Sequence, residues 1–368
     1  MPATTRSALT RHVDEGTVPG VVATLGRDLD PVAVGHLTVG GPAASPDAIV
    51  RIQSMTKVVT AVAALRLVAR GDLDLDAPVD HWVPELADRR VLVHPAAGLD
   101  ETVPARRPIT LRHLLTNMSG YGALAPGSPL ADAMAANGTE ADEAPPRLGQ
   151  DDWLAALATL PLAVQPGEGW RYHHSFGILG ILLGRVAGTS TAVVLADELF
   201  GPLGMTDTGF VVPASRAHRL PAAYRRGADG FEEIEPAGGG FYVAPPFEVG
   251  HAELVSTLTD LHAFLRALAA GELIPAELLT ALRTDQVPET AKTPESFFPG
   301  FWDSTGWGYG VSVTTSGPSA GRWGWSGGLG TDFFVAPDGS IGILLAQVAM
   351  DERVLGMLTE FGALPTDG

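Results

Sequence analysis

A serine and a lysine three positions apart are the residues of this sequence best suited to chemistry. They are Ser54 and Lys57, in the segment RIQSMTK at 51–57. Residues at positions i and i+3 of a helix share one face, so the hydroxyl and the amine can meet. Lysine can act as the base that activates a serine where burial lowers its pKa from about 10.4 towards neutrality, at a cost of about 4 kcal/mol. The spacing predicts a nucleophilic Ser54 activated by a desolvated Lys57.

A tyrosine that follows a Gly- and Pro-rich loop is the second candidate. Tyr172 lies between the loop at 165–169 and an apolar helix predicted at 176–187. Beside Lys57 it could share a proton and pass one to a leaving group, whereas the alternative is packing at a domain interface. His173 and His174 follow it, but adjacent residues rarely converge on one ion, and the chain has neither HExxH spacing nor cysteine. We therefore expect no metal and no cofactor.

The glycine-rich segment WGWSGGLGT at 323–331 is the third candidate. Glycines in a strand allow a ligand to approach the backbone closely, and free N–H groups there could form an oxyanion hole. The alternative is a bulged turn between two strands. No GxGxxG or Walker spacing is present, which excludes a phosphate-binding loop.

The segments that precede and follow these residues in the chain indicate which strands and helices position them. β-branched runs at Val18–Gly26 and Val32–Val39 predict antiparallel strands, and the all-round apolar segment from about Ser54 to Ala69 predicts a buried helix. From about 80 to 245, short helical segments alternate with long loops such as Ala123–Gly149, with almost no strand signal. Helices, four strand-like segments and a closing helix follow. The order predicts an α/β domain, an antiparallel sheet flanked by helices, made of 1–80 and 246–368 and interrupted by a mainly helical domain at 81–245.

The charge composition of the chain narrows the classes of molecule that it could bind. Of 368 residues, 24 are Lys or Arg and 42 are Asp or Glu, which gives a net charge of −18. Such a charge repels nucleic acid and anionic lipid, so we expect neither as a partner. No secretory leader or membrane-spanning run is visible, and we expect a cytoplasmic protein of undetermined oligomeric state.

Together, the three features resemble the serine β-lactamase and penicillin-recognising superfamily, and most closely the class C β-lactamase-like serine esterases known as family VIII carboxylesterases. Three further segments are typical of them: GDLDLDAPV at 71–79, ITLRHLL at 109–115 and LVST at 254–257. The resemblance implies the β-lactamase and penicillin-binding-protein fold. It also implies Ser54 as nucleophile, Lys57 and Tyr172 as proton carriers, and the N–H groups of Ser54 and Gly328 as oxyanion hole.

Two departures from the family pattern concern the remaining residues expected to bind or orient substrate. His174 stands where the Tyr-x-Asn motif of the family has an amide, so we expect an acid limb in the pH profile that depends on its imidazole. Trp325, Ser326 and Gly327 replace the Lys-Thr-Gly motif, which removes the cation that would pair with a β-lactam carboxylate. This replacement favours neutral esters over penicillins.

The sequence thus predicts a carboxylesterase-type hydrolase that cleaves a small-molecule acyl ester through an acyl-Ser54 intermediate. Three alternatives stay open: an acyltransferase on the same scaffold, a β-lactamase or D-amino-acid peptidase, and a binding sensor that forms an acyl-enzyme without turnover.

Overall fold

A computed structural model describes residues 3–141, 146–239 and 244–366 of the chain. The strands are β1 (Gly20–Gly26), β2 (Val32–Gly35), β3 (Val50–Arg51), β4 (Arg90–Leu92), β5 (Thr102–Pro104), β6 (Ala223–Gly227), β7 (Gly230–Glu235), β8 (Val255–Ser256), β9 (Thr305–Trp307), β10 (Ser312–Thr314), β11 (Trp323–Gly327), β12 (Thr331–Val335) and β13 (Ile341–Leu345). The helices are α1 (Ala3–Asp14), α2 (Thr56–Arg70), α3 (Leu111–Leu115), α4 (Pro129–Asn137), α5 (Gln150–Ala158), α6 (His174–Ala187), α7 (Thr191–Leu195), α8 (Gly201–Leu203), α9 (Leu258–Ala269), α10 (Ala276–Leu282) and α11 (Glu352–Ala363).

Both ends of the chain build the central sheet. Its seven strands lie in the order β2-β1-β13-β12-β11-β10-β9, and every neighbouring pair is antiparallel. The fold class predicted from the sequence, an antiparallel sheet flanked by helices, is confirmed. The boundaries of the two domains stay a prediction.

The two faces of the sheet carry separate cores because side chains alternate along each strand. In β12, Phe333 faces the larger core, which holds α2, α6 and α9. The next residue, Phe334, faces the smaller core under α1 and α11. The residues predicted to be catalytic should lie on the face of the larger core, because α2, which carries Lys57, packs against that face.

The segment between the sheet strands contains more strand than predicted. The pairs β4–β5 and β6–β7 lie in the region where the sequence gives almost no strand signal. They escaped prediction because β4 and β5 have three residues each and β7 reads GFEEIE, with little apolar alternation. The predicted loop Ala123–Gly149 contains α4, which Ser128 caps and Pro129 begins, while its residues 142–145 lie outside the described part of the chain.

Helix α2 is buried almost all round, as predicted, and ends at Gly71, whose φ of 84° suits glycine. A 3-10 turn at Gln53–Met55 precedes it. Strand β3 leads into this turn and pairs with β8, Val50 opposite Ser256 and Arg51 opposite Val255. The start of α2 is therefore fixed to a segment two hundred residues later in the chain.

No single helix in the described ranges is long and apolar enough to span a membrane. By length and composition alone, one pair passes that test together, His174–Ala187 with Thr191–Leu203, bent by 81°.

Strand β11 approaches the Gln53–Met55 turn so closely that Gly327 has no room for a side chain. A Cβ atom at this position would lie 2.3 Å from Thr331 Oγ1 and 2.5 Å from the carbonyl oxygen of Ile52. We expect Gly327→Ala to lower the free energy of unfolding by about 1–3 kcal/mol, as overpacking does, in denaturant titrations.

The matched control is Gly356→Ala in α11, where a Cβ would meet no atom within 4 Å. This variant should be more stable than wild type by about 0.5–1 kcal/mol, since alanine favours a helix interior. A Gly327→Ala protein as stable as wild type would contradict the close approach of β11 to the turn.

Candidate active site

Ser54 and Lys57 meet at the start of α2, as their spacing predicts. Ser54 is half-buried in the 3-10 turn, and Lys57 is fully buried one turn further on. The Lys57 Nζ lies 3.0 Å from Ser54 Oγ and donates a second hydrogen bond to the carbonyl oxygen of His251 at 2.8 Å. Burial in apolar surroundings lowers the pKa of Lys57 well below its ordinary value. Burial therefore favours the neutral form of this amine, which lies beside the Ser54 hydroxyl.

The carbonyl of His251 is a part of the site that the sequence did not reveal. His251 precedes β8, so the β3–β8 pairing brings its backbone to the amine of Lys57. A carbonyl oxygen is common to every residue type, and no side-chain pattern could have indicated it. Its hydrogen bond orients the amine towards Ser54.

Tyr172 completes the group predicted from the sequence. Its ring centroid lies 4.4 Å from Lys57 Nζ, and its Oη accepts a hydrogen bond of 2.6 Å from Trp325 Nε1. Burial raises the pKa of Tyr172 above its ordinary value, although hydrogen bonds with Ser54 and Trp325 act in the opposite direction. An indole N–H can only donate, so the phenol proton stays free to point towards Ser54. Tyr172 is therefore a protonated phenol beside the Lys57 amine.

Strained backbone surrounds these three side chains. Gln53, His173 and Glu253 have φ angles of 51°, 99° and 74°, in the left-handed region that non-glycine residues rarely adopt. Each lies one or two residues from a group of the site: Ser54, Tyr172 or the His251 carbonyl. Such conformations cost about 1–3 kcal/mol each and persist where the surrounding structure imposes them. Packing in the larger core surrounds the site on which these strained residues border.

The glycine-rich segment lies beside the Ser54 turn, where an oxyanion hole would be. The N–H of Ser54 is in the first turn of the 3-10 segment, where backbone N–H groups have no partner within the helix. The carbonyl of Gly328 accepts a hydrogen bond from Met350, and its N–H has no partner in the described ranges. The pairing of these two N–H groups as oxyanion hole stays a prediction.

Ser326 and His174, which were expected to bind or orient substrate, lie away from Ser54, Lys57 and Tyr172. Ser326 was expected beside Trp325 in the site, but successive residues of β11 face opposite sides of the sheet. Trp325 contacts Tyr172, whereas the Ser326 hydroxyl donates a 2.7 Å hydrogen bond to Asp332 Oδ1 on the side of α11. Gly327 contacts the Ser54 turn through its backbone.

His174 also faces away from the predicted group. Its Nε2 lies 2.6 Å from the carbonyl oxygen of Thr139, and its ring stacks on Trp153 at 6.0 Å between centroids. Burial lowers the pKa of His174 to about 4, so the imidazole is neutral, as expected. Among the described residues, however, its ring contacts neither Lys57 nor Tyr172, which was the expected position. The acid limb predicted for His174 has no geometric basis.

The imidazoles closer to Lys57 are those of His173 and His251. Their ring centroids are 3.9 Å apart. Burial lowers both pKa values well below the ordinary value, and a protonated Lys57 would act in the same direction. Both rings are therefore neutral and add no cation beside the amine. Within the described ranges, no group of three or more His, Asp or Glu side chains is arranged to hold a metal ion.

Comparison with known proteins shows the family to which the chain belongs. The family model described as Beta-lactamase matches residues 5–352. The chain is 34% identical over 315 residues to Protein Rv1367c of Mycobacterium tuberculosis, covering 81% of this chain and 77% of that protein. It is 31% identical over 341 residues to Esterase EstB of Burkholderia gladioli, covering 85% and 80%.

A solved structure extends the likeness to the fold. It is that of EstCE1, described as a hydrolase with promiscuous acyltransferase activity. The two chains superpose with a TM-score of 0.80 over 97% of each, at 23% sequence identity. The chain belongs to the β-lactamase family, and within it to the serine hydrolases related to esterases.

Proposed function

We propose that the protein hydrolyses neutral carboxylic esters through an acyl-enzyme intermediate on Ser54. The observation that carries this proposal is the fully buried amine of Lys57, 3.0 Å from Ser54 Oγ. A neutral amine in a dry site can take a proton that a solvated ammonium could not. The likeness to Esterase EstB supports an ester as substrate.

In the acylation step, Ser54 Oγ attacks the ester carbonyl carbon while Lys57 takes its proton. The charge that develops on the carbonyl oxygen would be stabilised by the N–H groups of Ser54 and Gly328. As the carbon–oxygen bond to the alcohol breaks, Tyr172 gives its proton to the leaving oxygen and recovers one from the nearby Lys57. Deacylation repeats these steps with water as the nucleophile, which releases the acid and restores Ser54.

Trp325 supports a neutral substrate. It occupies the position at which β-lactamases have the lysine of Lys-Thr-Gly, and its indole N–H is occupied by Tyr172 Oη. Without a cation at this position, a β-lactam carboxylate would lose its partner on entering the site, at a cost of a few kcal/mol. This argues against penicillins as preferred substrates.

Acyl transfer is the second candidate function. An alcohol can attack the acyl-enzyme in place of water through the same proton transfers, and EstCE1 is described as having acyltransferase activity. Measuring the ester formed from an added alcohol against the acid released by hydrolysis separates the two.

Ser54→Ala tests the nucleophile. We expect this variant to lose at least about 10³-fold in kcat towards p-nitrophenyl acetate, because no other serine in the chain has a lysine three residues on. A fluorophosphonate probe should label wild type at Ser54 and leave the variant unlabelled.

Ser326→Ala is the matched control, since its hydroxyl lies on the other face of the sheet, and it should still be labelled. Labelling of Ser54→Ala, or label found on another residue of wild type, would refute the assignment.

Tyr172→Phe tests the proton donor. The phenyl ring keeps the packing against Trp325 and Lys57 but removes the hydroxyl, so kcat should fall by roughly 10²–10⁴ while KM changes little. The loss should be smaller for p-nitrophenyl esters than for alkyl esters, because p-nitrophenolate leaves without a proton. An equal kcat in wild type and Tyr172→Phe for an alkyl ester would remove Tyr172 from the mechanism.

A further inference from the structure

An aromatic surface lies next to the proton donor. The rings of Phe297 and Trp325 have centroids 5.1 Å and 5.5 Å from that of Tyr172, and Phe298 contacts Phe297 at 4.8 Å. We call Phe297, Phe298 and Trp325 the aromatic wall. Behind it, Trp170, Phe301 and Trp307 are almost completely buried and contact the same rings. This surface could not be predicted from the sequence, because Phe297 is 125 residues from Tyr172.

Phe298 projects from the wall into solvent. Its exposure is 53%, and in the described ranges no other Phe, Trp or Tyr is classed as exposed. Phe297 and Trp325 are half-buried, so the wall presents apolar surface that the fold leaves uncovered. A contiguous exposed apolar patch beside a reactive group is typical of a ligand-binding site.

The segment that carries the wall is attached to the site by its neighbours. Arg171, which precedes Tyr172, donates a 3.0 Å hydrogen bond to the carbonyl oxygen of Glu295. Trp302 Nε1 donates to Ser296 Oγ at 2.8 Å, and this hydroxyl donates to the carbonyl oxygen of Thr293 at 2.7 Å. The wall is thus formed before a ligand arrives, which reduces the entropy lost on binding.

The position of the wall decides which half of an ester it meets. A general acid must lie within hydrogen-bond distance of the leaving oxygen. If Tyr172 protonates that oxygen, the alcohol half of the ester lies on the side of Tyr172, where Phe297 and Trp325 contact its ring. The acyl half points away from the wall. The wall side chains themselves carry no charge, and aromatic rings favour stacking with flat apolar groups.

We propose that the aromatic wall is the alcohol-binding subsite and that it selects esters of flat, apolar alcohols such as benzylic alcohols. This inference rests on the proposed ester hydrolysis, since the side of the site is defined by proton transfer from Tyr172. The substrate class is thus defined by the alcohol half of the ester.

Two isomeric esters test the proposal. Benzyl acetate has its phenyl ring in the alcohol half, whereas methyl phenylacetate has the same ring in the acyl half. Wild type should have the higher kcat/KM for benzyl acetate.

Phe298→Ala should lower kcat/KM for benzyl acetate by roughly tenfold, because one stacking partner and its buried area are lost. The same variant should change kcat/KM for methyl phenylacetate by less than about twofold. Because Phe298 is exposed, the variant should fold as wild type does, which thermal unfolding checks.

Leu355→Ala is the matched control. Its side chain is 54% exposed on α11, at the other face of the sheet, and its removal should change kcat/KM for neither ester. The subsite would be overturned if Phe298→Ala lost kcat/KM equally for both isomers, lost more for methyl phenylacetate, or lost none for either ester. If Ser54-dependent hydrolysis is present in these cases, the proposed function stands and the subsite alone fails. If wild type cleaves neither ester nor p-nitrophenyl acetate faster than Ser54→Ala, both proposals fail.

Discussion

The burial of Lys57 is the constraint on which the rest of the site depends. An ammonium group with no exposed surface, and with no carboxylate partner among the residues that the structure describes, would carry a large desolvation cost, and loss of its proton removes that cost. The same burial leaves the amine three ångströms from a serine hydroxyl with its orientation set by a backbone carbonyl. The fold places a buried amine, three strained backbone positions and the closely packed glycine Gly327 in one region. We interpret the free-energy cost of this burial and strain as the reason why Lys57 could act as a base in the proposed mechanism.

The topology explains how distant segments reach one amine. The sheet uses both ends of the chain, so β11 lies against the turn that begins α2. The short β3–β8 pair supplies the His251 carbonyl, and the residues before α6 supply Tyr172. Trp325 links the sheet to the helical part through its hydrogen bond with Tyr172 Oη. These contacts bring the Ser54 turn, Lys57, Tyr172 and Trp325 together from remote parts of the chain.

Local spacing allowed part of this site to be predicted from the sequence. Ser54 and Lys57 share a helix face whatever the rest of the fold does, and the antiparallel sheet followed from the strand–helix–strand order. Ser326 was assigned to the wrong face although the two-residue period of a strand separates it from Trp325. His174 could not be placed, because the φ of 99° at His173 turns the chain into α6 and directs His174 towards Thr139. The His251 carbonyl and Phe297 depend on contacts between remote segments, which spacing does not encode.

The protonation state of Lys57 can be measured directly because the chain contains only two lysines, Lys57 and Lys292. Partial burial acts to lower the pKa of Lys292, but its ion pairs with Asp285 and Glu289 raise it overall. NMR of protein labelled with nitrogen-15 lysine should therefore give two side-chain signals in a pH titration. We expect one to titrate well below about 10.4, the ordinary lysine value, and to vanish in Lys57→Met, and the other to titrate above it. Two signals that both titrate at or above the ordinary value would contradict a neutral Lys57 as the base.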